Sequence, residues 1–146
     1  MTDSSTADAT ADPYSIREEL PTPETFATLR EAADMPPRSR EGIEQGLPNS
    51  VYGVIVVHEP SGETVGMGRI VGDGGTVYQI SDMAVHPDHQ RQGLGTQIMT
   101  QLESYLETEA PPSAYVNLMA DIDGFYESFG YEETRPASKG MYRRTE

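Results

Sequence analysis

The run from Asp82 to Met99, DMAVHPDHQRQGLGTQIM, constrains the fold more than any other stretch. It reads as a strand end, a glycine-bearing loop and the first turns of a helix. A helix N-terminus leaves backbone N–H groups unpaired and carries the positive end of the helix dipole. Small residues there let an anion approach the backbone closely. Gly93 and Gly95 are those small residues. The run therefore predicts a cradle for a phosphorylated ligand, built mainly from main chain.

Charge narrows the setting. The 146 residues carry 24 acidic and 10 basic side chains, for a net charge of −14. Lys139 is the one lysine; every other basic residue is arginine. Nucleic acid is excluded as a partner, because phosphate backbones need basic patches that release counterions. An anionic membrane surface is excluded for the same reason. An acidic surface almost without lysine suits a cytosol at molar salt, where the Debye length falls to about 3 Å and self-repulsion is screened. We read the chain as halophilic; an ordinary acidic protein is the alternative. With no cysteine, disulfides and thiolate chemistry are excluded. The N-terminus, MTDSSTADATADP, has neither a basic nor an apolar signal region, so the expected address is the cytoplasm. Residues 1–12 are expected to be a disordered acidic tail, and 13–146 a single domain.

Around the central run, Tyr14 to Leu20 predicts a first strand. Thr22-Pro23-Glu24 is a helix start, with Phe26, Leu29 and Ala33 on one face and Pro36-Pro37 as the stop. A short helix is expected over Ser39 to Leu47. Val51 to His58, Thr64 to Val71 and Thr76 to Val85 read as a meander of three strands, turned at Glu59–Gly62 and Gly72–Gly75. Leu94, Ile98, Leu102 and Leu106 recur every four residues and predict a helix of about four turns. Ala114 to Met119 reads as a strand, so a right-handed crossover places it parallel to the strand ending at Val85. Ile122, Phe125, Tyr126 and Phe129 predict a short helix closed by Gly130. Tyr131–Thr134 and Gly140–Arg143 read as two last strands.

The glycine loop is not a P-loop, because no Gly-Lys-Ser/Thr follows. It is not a dinucleotide fingerprint either: a third glycine is missing and antiparallel strands precede it. Gln90, Gly93 and Gly95 instead resemble the Gln/Arg-x-x-Gly-x-Gly/Ala motif of the GNAT N-acetyltransferase superfamily. Met83-Ala84-Val85 is similar to that family's preceding strand. Gly124-Phe125-Tyr126-Glu127-Ser128-Phe129-Gly130-Tyr131-Glu132 is similar to its late F-Y-x-x-x-G-F/Y-E motif. The resemblance implies an α/β GNAT fold. Its mixed sheet would have about seven strands, mostly antiparallel with one parallel splayed pair, flanked by about four helices.

It also implies acetyl-CoA as co-substrate, no metal, and direct acetyl transfer to the primary amine of a small molecule. The amides of Arg91, Gln92, Gly93, Leu94, Gly95 and Thr96 would hold the pyrophosphate, and Arg91 would add a charged hydrogen bond or remain a solvated arginine. The backbone of Met83, Ala84 and Val85 would pair with the pantetheine arm and present an N–H to the thioester carbonyl. Tyr126 would protonate the leaving thiolate, or serve only as a core aromatic. Asp121 would cap the late helix and touch the cofactor. The family's usual base positions hold Gln79 and Ser81, neither of them a base. Asp82 is the nearest carboxylate, and aralkylamine acetyltransferases of plant-chloroplast type resemble this chain there and at Lys139-Gly140-Met141-Tyr142. They imply Asp82 as the base. The alternative is that Asp82 caps a β-bulge or pairs with a nearby arginine such as Arg69. Tyr52, Met67 and Tyr78 point to an aromatic amine. His86 and His89 lack a third ligand, so no metal is expected. The resemblance also implies a possible homodimer. The rival functions are a non-catalytic acyl-CoA sensor or interaction module, and a protein N-terminal or lysine acetyltransferase.

Overall fold

A computed structural model describes residues 12–146. The tail expected over residues 1–12 lies, up to residue 11, outside the described residues. Strand β1 spans Tyr14–Arg17, helix α1 Pro23–Ala32 and α2 Arg40–Gly46. Strands β2 (Tyr52–His58), β3 (Glu63–Gly72) and β4 (Val77–Val85) follow, then α3 (Leu94–Glu109) and β5 (Tyr115–Asn117). Strand order in the sheet is the order in the chain, with β1 to β4 antiparallel and β5 parallel to β4.

Local chemistry sets these elements. Thr22 caps α1 by accepting from the Thr25 N–H, with Pro23 in the first turn. Ser39 caps α2 in the same way through the Gly42 N–H. The β3–β4 turn closes on the Asp73 carboxylate, which accepts from the N–H groups of Gly75, Thr76 and Val77.

The sheet carries a core on each face. Val54 and Val56 pack with Ile98, Met99 and Leu102 of α3, while Ile55 and Val57 pack with Phe26 and Leu29 of α1. Alternate residues of a strand face opposite ways, so a strand covered on both faces is apolar throughout. Helix α3 lies tight on β3 because Gly68 has no side chain: a Cβ there would stand 2.6 Å from Ile98 Cγ2. No helix of the described residues is long and apolar enough to cross a membrane.

The architecture is the expected mixed sheet with one parallel pair, but the counts are lower. Among the described residues there are five strands and three α-helices. Residues 131–134 and 140–143 are not strands; Met141 and Tyr142 are each 83% exposed, so this polar segment buries no face that would hold it in the sheet. The late helix shrinks to a 3-10 turn at Glu127–Phe129, because Gly124 takes φ +86° and interrupts it. The Tyr131 hydroxyl still ties this segment to α3, donating to Glu103 at 2.5 Å.

Candidate active site

Strand β4 changes partners along its length. It pairs with β5 at Val77, Tyr78 and Gln79, where β5 ends at Asn117. Among the described residues no strand pairs with β4 on that side from Ile80 to Val85. The two parallel strands thus part, and a cavity of about 280 Å³ opens between them. Its wall includes Ser81, Asp82, Met83, Leu118, Asp121 and Tyr126.

A β-bulge shapes that wall. Met67 pairs with Ala84 but Arg69 with Ser81, so Asp82 and Met83 together oppose Gly68. Asp82 takes φ +59° to allow it. The extra residue reverses the alternation. Before the bulge, Tyr78 and Ile80 face α3; after it, Ala84 faces α1. Asp82 falls at the crossover and points its carboxylate toward α1, 8% exposed.

Two arginines meet it there. Arg30 Nη1 donates to Oδ1 at 2.5 Å and Arg69 Nε to Oδ2 at 2.7 Å. Arg30 Nη2 also donates to the Pro36 carbonyl at 2.6 Å, while its Nε is buried without a partner. Phe26 lies against both guanidinium groups, 5.9 Å from that of Arg30 and 5.5 Å from that of Arg69. The Arg69 pairing considered for Asp82 is present; Asp82 lies within the bulge, and its carboxylate accepts from the two arginines rather than from the bulge backbone.

Tyr126 stands between the core and the cavity. It is 9% exposed and belongs to the α3-side core, yet it also forms cavity wall. Burial first, and then the charge of Asp121, push its hydroxyl above the ordinary tyrosine range. Asp121 caps no helix; it stands on the cavity wall near Tyr126.

At the far end of β4, the loop reaches α3 through Arg91 at φ +65° and Gly93 at φ +78°. The first backbone bond of α3 runs from the Gln97 N–H to the Gly93 carbonyl at 3.1 Å, and Gly93 offers no side-chain cap. The amides of Leu94, Gly95 and Thr96 therefore lie ahead of the helical ladder. A Cβ on Gly95 would meet only Phe125, at 3.8 Å. That is ordinary van der Waals contact, and a Cβ on Gly93 would meet no heavy atom within 4 Å. The Gln90 side-chain amide donates to the Val85 carbonyl at 3.2 Å and holds the loop on the strand end. His89 is tied to the Tyr14 hydroxyl at 2.8 Å and lies tilted against the His58 ring, centroids 4.8 Å apart, so the histidines brace this loop from outside.

Three expected substrate contacts are elsewhere. Met67 and Tyr78 are core residues, and Tyr52 stacks on Tyr105 at 4.3 Å while donating to Glu18. Two cavity residues, Arg30 and Arg38, escaped sequence reasoning. Arg30 carried a signal: it follows Phe26 by four residues, on the apolar stripe of α1.

A Staphylococcus aureus protein of unknown function, described as a probable acetyltransferase, has a structure with a TM-score of 0.84 to this one; it is 40% identical and covers 90% of this chain and 99% of its own. A GNAT-family acetyltransferase of Streptococcus pneumoniae is 27% identical with a TM-score of 0.71, covering 90% and 98%. An uncharacterized N-acetyltransferase of Porphyra purpurea is 29% identical over 92 residues, 63% of this chain; the match spans about half, 53%, of that relative's length. The acetyltransferase (GNAT) domain family matches residues 50–133, from β2 through the glycine loop to the Tyr126 segment, and the chain belongs to that family.

Proposed function

We propose that this protein is an acetyl-CoA-dependent N-acetyltransferase that passes the acetyl group directly to a primary amine of a small molecule. The observation that carries this reading is the unpaired side of β4, which runs from the cavity beside Tyr126 to the open amides at the start of α3. Bound acetyl-CoA would supply an activated thioester.

Each part of the chain has a task on this reading. The amides of residues 91–96 hold the pyrophosphate, aided by the α3 dipole. Met83, Ala84 and Val85 offer main-chain groups to the pantetheine arm and an N–H to the thioester carbonyl. Asp121 lies where the cofactor's reactive end and the amine would meet. The ammonium loses one proton to water before the free amine attacks the thioester carbonyl; Tyr126 keeps its proton, because burial and Asp121 oppose ionisation, gives it to the departing thiolate, and regains through water the proton that the nitrogen sheds as the amide forms.

Asp82 is better suited to positioning than to proton removal. Each of its oxygens already accepts from a guanidinium, and the base role implied by resemblance requires one of those bonds to open. On our reading Asp82 holds Arg30 and Arg69 in place and sets the bulge. The acidic composition supports a cytoplasm at high salt as the working environment.

Steady-state release of CoA thiol with a panel of amines in high salt tests this function. Turnover with at least one amine is expected. Tight CoA binding by calorimetry with no turnover across the panel would favour the acyl-CoA sensor instead.

A further inference from the structure

The cavity beside Tyr126 is charged differently at its two ends. Asp121 is the charged group acting on Tyr126. Arg38 is held below its ordinary value by burial first and then by a separate set of charges, those of Arg30 and Arg144, opposed by Asp82, with Arg69 last. Arg30 and Arg38 both line the cavity, and both also line an adjoining one of about 580 Å³ that includes Glu31, Asp34 and Pro37. Asp82 is shared between Arg30 and Arg69, so one carboxylate faces two cations before Arg38 is counted. Arg38 forms no ion pair among the described residues and stands exposed at the cavity mouth.

A second feature marks the same end. The Arg30 side chain is only 3% exposed, and its Nε has no hydrogen-bond partner. A buried N–H left unpaired costs about 1–3 kcal/mol unless something else accepts from it. An arginine without an ion pair at a cavity, as Arg38 is among the described residues, is unexpected in a chain of net charge −14. An anion brought into the cavity would take charge-assisted hydrogen bonds from exposed Arg38 and relieve the crowding of guanidinium groups, while the Arg30 Nε, closed off from solvent, stays out of its reach.

Resting on the acetyltransferase reading above, we propose that the acceptor is a small amine that also carries an anionic group. Arg38, backed by Arg30, holds the anion, and Asp121 faces the ammonium end beside Tyr126. This order puts the amine nitrogen at the proposed site of transfer and its anion at the opposite end. A carboxylate and a phosphate monoester both meet these requirements. An amino acid or an aminoalkyl phosphate is therefore the substrate class, rather than an uncharged aromatic amine. Arg38 is the residue that sets this specificity.

Thiol release with matched acceptors tests the proposal: α-amino acids, their carboxamides, the corresponding decarboxylated amines, and phosphoethanolamine. Amino acids or phosphoethanolamine are expected to exceed the uncharged partners in kcat/KM by about tenfold or more. Which of the two wins identifies the anion as carboxylate or phosphate. Arg38→Ala is expected to shrink that preference about tenfold, chiefly through KM, and Arg38→Lys to restore part of it. Arg38 supports no ion pair, so the fold is expected to survive both changes, as circular dichroism will show.

Four results would overturn the proposal. Equal kcat/KM for amino acids and carboxamides would do so, as would a preference that Arg38→Ala leaves intact. Turnover of uncharged amines alone would overturn the anionic acceptor while leaving acetyl transfer standing. Absence of turnover with every amine would overturn both.

Discussion

Asp82 and Arg30 form an ion pair of 2.5 Å, with side chains 4% and 3% exposed, that ties the bulge of β4 to α1. A buried pair of this kind is costly to break from one side, because the remaining charge is left uncompensated. Asp82→Asn is expected to lower stability by about 3 kcal/mol, read from urea denaturation. If Asp82 positions rather than accepts a proton, the acidic limb of the kcat/KM profile persists in the variant. Loss of that limb with stability unchanged would restore the base role.

Tyr126→Phe removes the proposed proton donor and little volume. The rate is expected to fall by about 100-fold, with KM for acetyl-CoA little changed. The pH dependence has a definite sign. Tyr126 is active while protonated, and its hydroxyl is pushed above the ordinary tyrosine value, so the wild-type rate holds as pH rises toward about 10. A Phe variant with full turnover would end the proposal for Tyr126.

The glycine loop separates folding from binding. Gly95 has space around its Cβ position and an ordinary φ, so Gly95→Val is expected to leave the melting temperature near that of the parent. CoA affinity, measured by calorimetry, is expected to fall about tenfold or more as amide contacts are blocked. Gly93→Val acts on both, because φ +78° is strained for a β-branched residue. Unchanged CoA affinity in the Gly95 variant would count against the cradle.

The close approach of α3 to β3 predicts a coupled pair. Gly68→Ala sets a methyl group against Ile98 Cγ2 and is expected to cost about 1–3 kcal/mol. Ile98→Ala alone leaves a cavity and costs about 2–5 kcal/mol. The double variant is expected to lose about 1 kcal/mol less than the sum, which a denaturation cycle resolves.

Much of this fold was legible because particular residues obey one rule at a time. Val54 through Val57 read as a strand covered on both faces, and two separate cores cover it. Leu94, Ile98, Leu102 and Leu106 read as one helix face, and all four are buried in α3. The loop from Gln90 to Thr96 announced itself through glycine between a strand and a helix. The chain end was not legible: Tyr131–Thr134 has the look of a strand, but strand formation needs a partner that propensity does not supply. The cation-lined cavity was hidden for a different reason. Arg30, Arg69 and Asp82 come from α1, β3 and β4, and only the bulge at Asp82 brings them to one point.

The central claim is that the amides after Gln90 and the wall at Tyr126 serve one acetyl transfer. The most direct measurement is mass spectrometry of amine panels incubated with acetyl-CoA and the protein in high salt, with Tyr126→Phe run in parallel. A product heavier by one acetyl group is expected, formed at a rate that the variant reduces. No acetylated product from any amine, from a folded protein that binds CoA, would contradict it.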